Sequence, residues 1–151
     1  MNRRITLASI AARIYSRLDQ SLGVVKIGTA LDHDFLKSVG LAVNWPAVWV
    51  GGQRSQPGAA SRRTGLLRQE VGIIFAVRVI VAKVVAGETS QEDRANAIAD
   101  GVADVLIGWS PPGTDMSIEW VESQDGPSEQ STITVDLVFK TRTTYQYNPA
   151  A

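Results

Sequence analysis

The sequence contains no cysteine and a single histidine among its 151 residues. Without cysteine there can be no disulfide and no thiolate metal ligand, although the absence does not identify a compartment. The one histidine, His33, stands between Asp32 and Asp34. No second histidine or cysteine is available to complete a metal site, and neighbouring side chains of an extended segment point opposite ways. The triplet therefore reads as a solvated loop. Catalytic patterns are missing too: no GxxxxGK[ST], no GxGxxG after a strand, no HExxH and no GxSxG elbow. With the usual bases and nucleophiles nearly exhausted, the chain is expected not to be an enzyme and to need neither cofactor nor metal. Asp100 and Asp104, one helical turn apart, keep a small metal-dependent hydrolase or nuclease as an alternative, but acids so spaced usually form a solvated face.

Net charge is also absent, with 15 basic and 15 acidic side chains. Overall charge thus predicts neither nucleic-acid nor membrane binding. Its distribution is uneven. Residues 1–83 hold 12 basic against 4 acidic side chains, and residues 84–136 hold 11 carboxylates against Arg94 alone. Two halves of opposite sign can fold against each other. They can equally present a basic and an acidic face to successive copies of the chain, and such head-to-tail contacts close into rings when the rotation permits.

What is plentiful is β-branched apolar sequence. From Val71 to Lys83 every second residue (Val71, Ile73, Phe75, Val77, Val79, Val81) is apolar, and the intervening row is apolar apart from Arg78. That pattern predicts a strand buried on both faces at the centre of a sheet. A second strand is expected over Leu41–Val50, restricted by Pro46 to an edge or an irregular position. Met116, Ile118 and Trp120 predict a strand with one wetter face. A hairpin turn over 122–129 leads to the alternation of Ile133, Val135, Leu137 and Phe139, and residues 145–151 are expected to be flexible.

Two amphipathic helices flank these strands. Leu7, Ile10, Ala11, Ile14 and Leu18 form one stripe, with Arg13 and Arg17 beside it and interrupting what could otherwise pass for a secretory signal. Ala95, Ile98, Ala99, Val102, Val105, Leu106 and Trp109 form the second, which Ser90 and Asp93 can cap and which ends before Pro111-Pro112. Gly101 inside that helix suggests close approach to the sheet. Phe75, Val77, Val79, Val102, Leu106 and Trp109 are the expected core.

Between the first two strands lies GGQRSQPGAASRRTG, residues 51–65, with no acid from Asp34 to Glu70. Its glycines predict a long mobile loop or an extended hairpin arm, suited to phosphate or partner contacts or simply to solubility. No basic helix accompanies its arginines and no aromatic is interleaved with them, which argues against a sequence-specific nucleic-acid reader. The sum is one α+β domain, a mostly antiparallel central sheet with two amphipathic helices packed on it and a long basic loop between the first two strands.

Three pieces in this order resemble the tail terminator (tail completion) proteins of long-tailed bacteriophages. They are the Trp45-Pro46-Ala47-Val48-Trp49-Val50 strand leading to a loop, the hydrophobic strand and helix closing on Leu106-Ile107-Gly108-Trp109-Ser110-Pro111-Pro112, and the hairpin ending Leu137-Val138-Phe139-Lys140-Thr141. The resemblance implies a virion protein assembled in the host cytoplasm as a homohexameric ring at the head-proximal end of the tail tube. There it would stop tube-protein polymerisation and offer a surface to the head connector, with DNA passing through the lumen without sequence specificity and no membrane involved. In that picture Arg54, Arg62, Arg63 and Arg68 contact an adjacent subunit, the tube or DNA phosphates. A different ring component of the same particle, such as a head-completion or tube protein, fits the same pattern.

Overall fold

A computed structural model describes residues 6–29, 46–63, 65–82, 91–126 and 132–147. The chain runs α1 (Leu7–Arg17), a 3₁₀ turn (Gln20–Leu22), β1 (Lys26–Thr29), β2 (Ala47–Arg63), β3 (Leu66–Ala82), α2 (Gln91–Leu106), β4 (Glu119–Asp125) and β5 (Thr132–Tyr147). The five strands form one sheet in the order β1-β2-β3-β5-β4, so the strand expected at the centre is the central one. All neighbours are antiparallel except β1 and β2.

Alternation on β3 divides the molecule into two unlike faces. Val71 to Val81 at every second position are buried, and from Ile73 onward they share one core with α1 and α2. Phe75 lies opposite Phe139 with ring centroids 5.6 Å apart. Ile10, Ala11, Ile14 and Leu18 bury the stripe of α1, and Ala95, Ile98, Ala99, Val102 and Leu106 bury that of α2. Phe75, Val77, Val79, Val102 and Leu106 are thus core as expected, whereas Trp109, past the end of α2, is only partly buried. Its ring is instead roofed by Arg13, whose guanidinium carbon stands 5.1 Å from the ring centroid and whose Nε donates to the Val105 carbonyl at 3.4 Å. The cation so placed also complements the negative end of the α2 dipole.

Several expectations need correction. Gly101 does approach a neighbour closely, but not the sheet: a Cβ there would lie 2.9 Å from Leu22 Cδ1 and 3.1 Å from Leu18 Cδ1. What stands over Gly101 is the end of α1 and the 3₁₀ turn after it, not the sheet. Pro46 does not confine β2 to an edge. It stands just ahead of the strand, and its carbonyl accepts from the Val25 N–H at 2.9 Å, seating β1 alongside. On β5 the row between the alternating apolar residues is dry at one end, where Thr132 and Thr134 are buried and Thr134 pairs with Ile80 of a second apolar cluster, Ala47, Trp49 and Ile80. The turn expected over 122–129 begins later, since Glu122–Asp125 belong to β4 and pair with β5. The capping Ser90, the triplet Asp32–Asp34, the strand residues Leu41–Trp45 and residues Pro127–Glu129 lie outside the described residues.

The largest correction concerns residues 51–65, which are not a loop. Gly51 to Arg63 continue β2, which pairs with β3 from Ala47↔Ile80 to Arg63↔Leu66, the extended-arm alternative. Two register shifts absorb the poor strand formers, one between Gly51 and Arg54 and one between Pro57 and Ala60. Gly52 sits at the first with φ +64° and Gly65 at the hairpin turn with φ +79°, conformations that side chains with a Cβ rarely adopt. Nor is the C-terminal stretch loose throughout: Tyr145, Gln146 and Tyr147 pair with Gln69, Arg68 and Leu67.

Candidate assembly surface

Three strands therefore leave the body together. β3 has 17 residues, which at 3.4 Å each is about 55 Å of strand. A compact domain of this length has a radius of gyration of only about 15 Å. The helices cover β3 from Val71 onward, and residues 66–70 with their partners in β2 and β5 form an arm beyond them. Residues 53–62 of β2 are exposed apart from the half-covered Gln53. Gln69 Nε2 donates across the arm to the Gly58 carbonyl at 3.4 Å.

Of the arginines singled out from the sequence, Arg62, Arg63 and Arg68 lie on this arm and Arg54 lies below it. Arg54 pairs with Ile74 near its base, and Arg62 and Arg63 pair with Leu67 and Leu66 at its end, where Arg68 lies opposite Ser61. Register puts Arg54 and Arg68 on the sheet face away from the helices and Arg62 on the other. The structure thus gathers Arg62, Arg63 and Arg68 within a few residues at the tip and leaves Arg54 apart. Arg54, Arg62 and Arg68 are exposed.

Below the arm, the face turned away from the helices is held by cross-strand ion pairs. Arg78 Nε and Nη2 donate to the two carboxylate oxygens of Asp136 at 2.8 and 2.9 Å. That bond, ahead of the opposing effect of burial, pushes the Arg78 pKa up. Lys140 Nζ lies 3.5 Å from Glu119 Oε2, and Arg142 Nη1 donates to Glu70 Oε2 at 3.2 Å. The residue types of these pairs were visible in the sequence, but only the register revealed who faces whom. The segment before β4 is tied to β5 through the Asp115 N–H to Arg142 carbonyl bond at 2.8 Å and through Thr141 Oγ1, which donates to the Met116 carbonyl at 2.6 Å.

Acidic side chains occupy other surfaces. Glu92, Asp93, Asp100 and Asp104 are exposed on α2, opposite its buried stripe. β4 is exposed at all seven residues, including Trp120 at 53% and Val121 at 46%. The expected burial of Trp120 fails because β4 is an edge strand and a register shift follows Trp120. No group of three His, Asp or Glu side chains that could hold a metal ion occurs among the described residues. Two clefts, one of about 260 Å³ below the arm beside Met116 and Arg142 and one of about 380 Å³ on it between Ala59 and Arg68, are lined mainly by charged and small polar side chains. They lack the aromatic lining typical of small-molecule sites.

A sequence model of the phage tail terminator protein matches residues 5–149. The chain belongs to the phage tail terminator family. A terminator-family protein is a structural component of the virion tail, so the surface to be explained is one that meets other proteins of a particle. In fold, the chain is similar to one in the solved virion of a native gene transfer agent particle. The TM-score is 0.58 at 22% identity, covering 89% of this chain and 94% of that one. Comparison with curated proteins finds no match. No helix among the described residues of this terminator-family chain is long and apolar enough to cross a membrane.

Proposed function

We propose that this tail protein assembles head to tail into a closed, hexameric ring at the head-proximal end of the tail tube. The ring stops growth of the tube protein and presents its other face to the head connector, and DNA passes through the lumen without being read. The observation that carries this reading is the three-stranded arm, an element too long to pack on its own body and tipped with Arg62, Arg63 and Arg68. The exposed acids of α2 and β4 supply a surface of opposite sign on another copy. Contacts between unlike patches are heterologous, and heterologous contacts close rings when the rotation from copy to copy permits. Arginines that instead meet DNA phosphates bind without sequence preference and release under salt.

The test joins symmetry with polymerisation. Electron micrographs of purified protein should show closed rings, and rings added to growing tube protein should cap it at a fixed length. Reversing charge in Arg62→Glu/Arg63→Glu should weaken assembly while the subunit keeps its circular dichroism and melting temperature. Normal assembly of that variant would remove the arm tip from the contact. A protein that polymerises by itself into long tubes would be a tube protein, and a stable monomer with metal-dependent turnover would be a hydrolase.

A further inference from the structure

We propose that consecutive copies meet through two apolar patches, Tyr15 and Val25 beside β1 of one copy seating on Ile107, Trp120 and Val121 beside β4 of the next. This rests on the ring reading and names its junction. Among the described residues the exposed large apolar side chains are these five, Tyr15 at 77%, Val25 at 54%, Trp120 at 53%, Ile107 at 48% and Val121 at 46%. Single exposed apolar residues are ordinary, but apolar residues gathered into patches mark contact sites. Here they gather at the two opposite ends of the sheet order, β1 and β4.

The β4 end is a bare shelf. Trp120, Ser123 and Asp125 stand opposite Phe139, Leu137 and Val135 of β5. Residues directly opposite share a face of the sheet, so all three of the β4 residues lie on the helix side. Their β5 partners are buried, yet they themselves are exposed. α1 packs on β1 and β2, and α2 on β3 and β5, so the helix layer stops one strand short. The Gly108 N–H donates to the Ile118 carbonyl at 3.0 Å, which brings Ile107 beside this shelf. At the β1 end the helix layer has a flank to spare. Arg13 reaches toward the end of α2. Tyr15, two residues on, lies about 160° away around the helix and so faces away from α2. Ala8 and Ala12 are exposed with it. Copies set side by side in one orientation bring that flank against the shelf, and the helix layer continues across the junction. Charge favours the same pairing of ends. Arg17 and Lys26 are exposed near Tyr15 and Val25, and the acid there, Asp19, is turned onto the Ser21 N–H. β4 carries Glu119, Glu122 and Asp125 and no base. Like ends repel and unlike ends attract. An aromatic at the centre of a desolvated patch is a common anchor of such contacts.

The experiment uses the full chain in two variants, Tyr15→Glu and Trp120→Glu, at exposed positions where circular dichroism and melting temperature should stay those of wild type. Analytical ultracentrifugation should show each variant alone associating at least about tenfold more weakly than wild type, because a charge is pressed into an apolar contact. Mixed in equal amounts, the two should form a two-chain species and nothing larger. One intact junction remains in that pair, Tyr15 of the Trp120 variant on the shelf of the Tyr15 variant, and both outer ends are blocked. The sequence contains no cysteine, so Tyr15→Cys and Trp120→Cys give an independent readout. Oxidised together, they should cross-link to each other far more than either does to itself. Wild-type assembly by either Glu variant, a mixture that stays monomeric or grows past two chains, or self-linking of a Cys variant equal to that of the mixture overturns the junction while the ring stands. A wild-type protein that never associates overturns both.

Discussion

At the scale of single residues, burial separates side chains that look equivalent in the sequence. Phe75 is fully buried against Phe139, so Phe75→Ala should cost about 3–5 kcal/mol in chemical denaturation. Trp109 is larger but half-covered, and its chief partner is the Arg13 cation. Trp109→Ala should cost less, about 1–3 kcal/mol, measured the same way. A stripe of period 3.6 announced both helices correctly, yet it included Trp109 only by extrapolation past the point where the helix ends. Asp19 adds a pH dependence. Its carboxylate accepts from the Ser21 N–H at 2.9 Å, and that bond holds its pKa below the ordinary carboxylate value. A depressed folded-state pKa means that its contribution is complete above the unfolded-state value and is lost as pH falls through the folded one. Asp19→Ala should therefore lower stability at neutral pH and flatten the acid limb of a stability-against-pH curve. An acid limb identical to wild type would show that the cap contributes nothing.

At the scale of elements, the arm is where local preference and final structure part. Gly, Ser and Pro over 51–65 are poor strand formers, and read locally they make a loop. What holds them extended is the regular β-rich strand alongside, β3, with irregularities placed where Gly52 and Pro57 need them. The arm buries little, so it should add little to subunit stability. Deleting Gly58–Glu70 and joining Pro57 to Val71, which face each other in the register, by a two-residue Asn-Gly turn should shift the melting temperature by no more than a few degrees while abolishing assembly. A collapse of thermal stability on deletion would instead make the arm part of the fold. The short β1 escaped detection for the opposite reason: four residues with only partial burial leave no periodic signature.

For the whole molecule, the two halves of opposite charge meet where Arg78 pairs with Asp136, and outside that contact arginines stand at the arm tip and carboxylates on α2 and β4. An assembly built on such contacts is screened by salt, because the Debye length falls from about 10 Å at 0.1 M to about 3 Å at 1 M. Occupancy of the proposed ring, measured by mass photometry, should drop steeply over that range and return on dilution of the salt. Occupancy indifferent to salt would place the stability of the ring in apolar contacts such as Trp120 instead.

The alternation of apolar residues in β3 and β5 and the two helical stripes were enough to determine an α+β domain with its central strand and core, because burial periodicity is a local property of sequence. Which carboxylate faces which cation, what stands over Gly101 and that the arginine-bearing segment is a strand were decided by register and by contact between distant segments. Such pairings carry no local signature. They exist only once the chain has been brought back alongside itself.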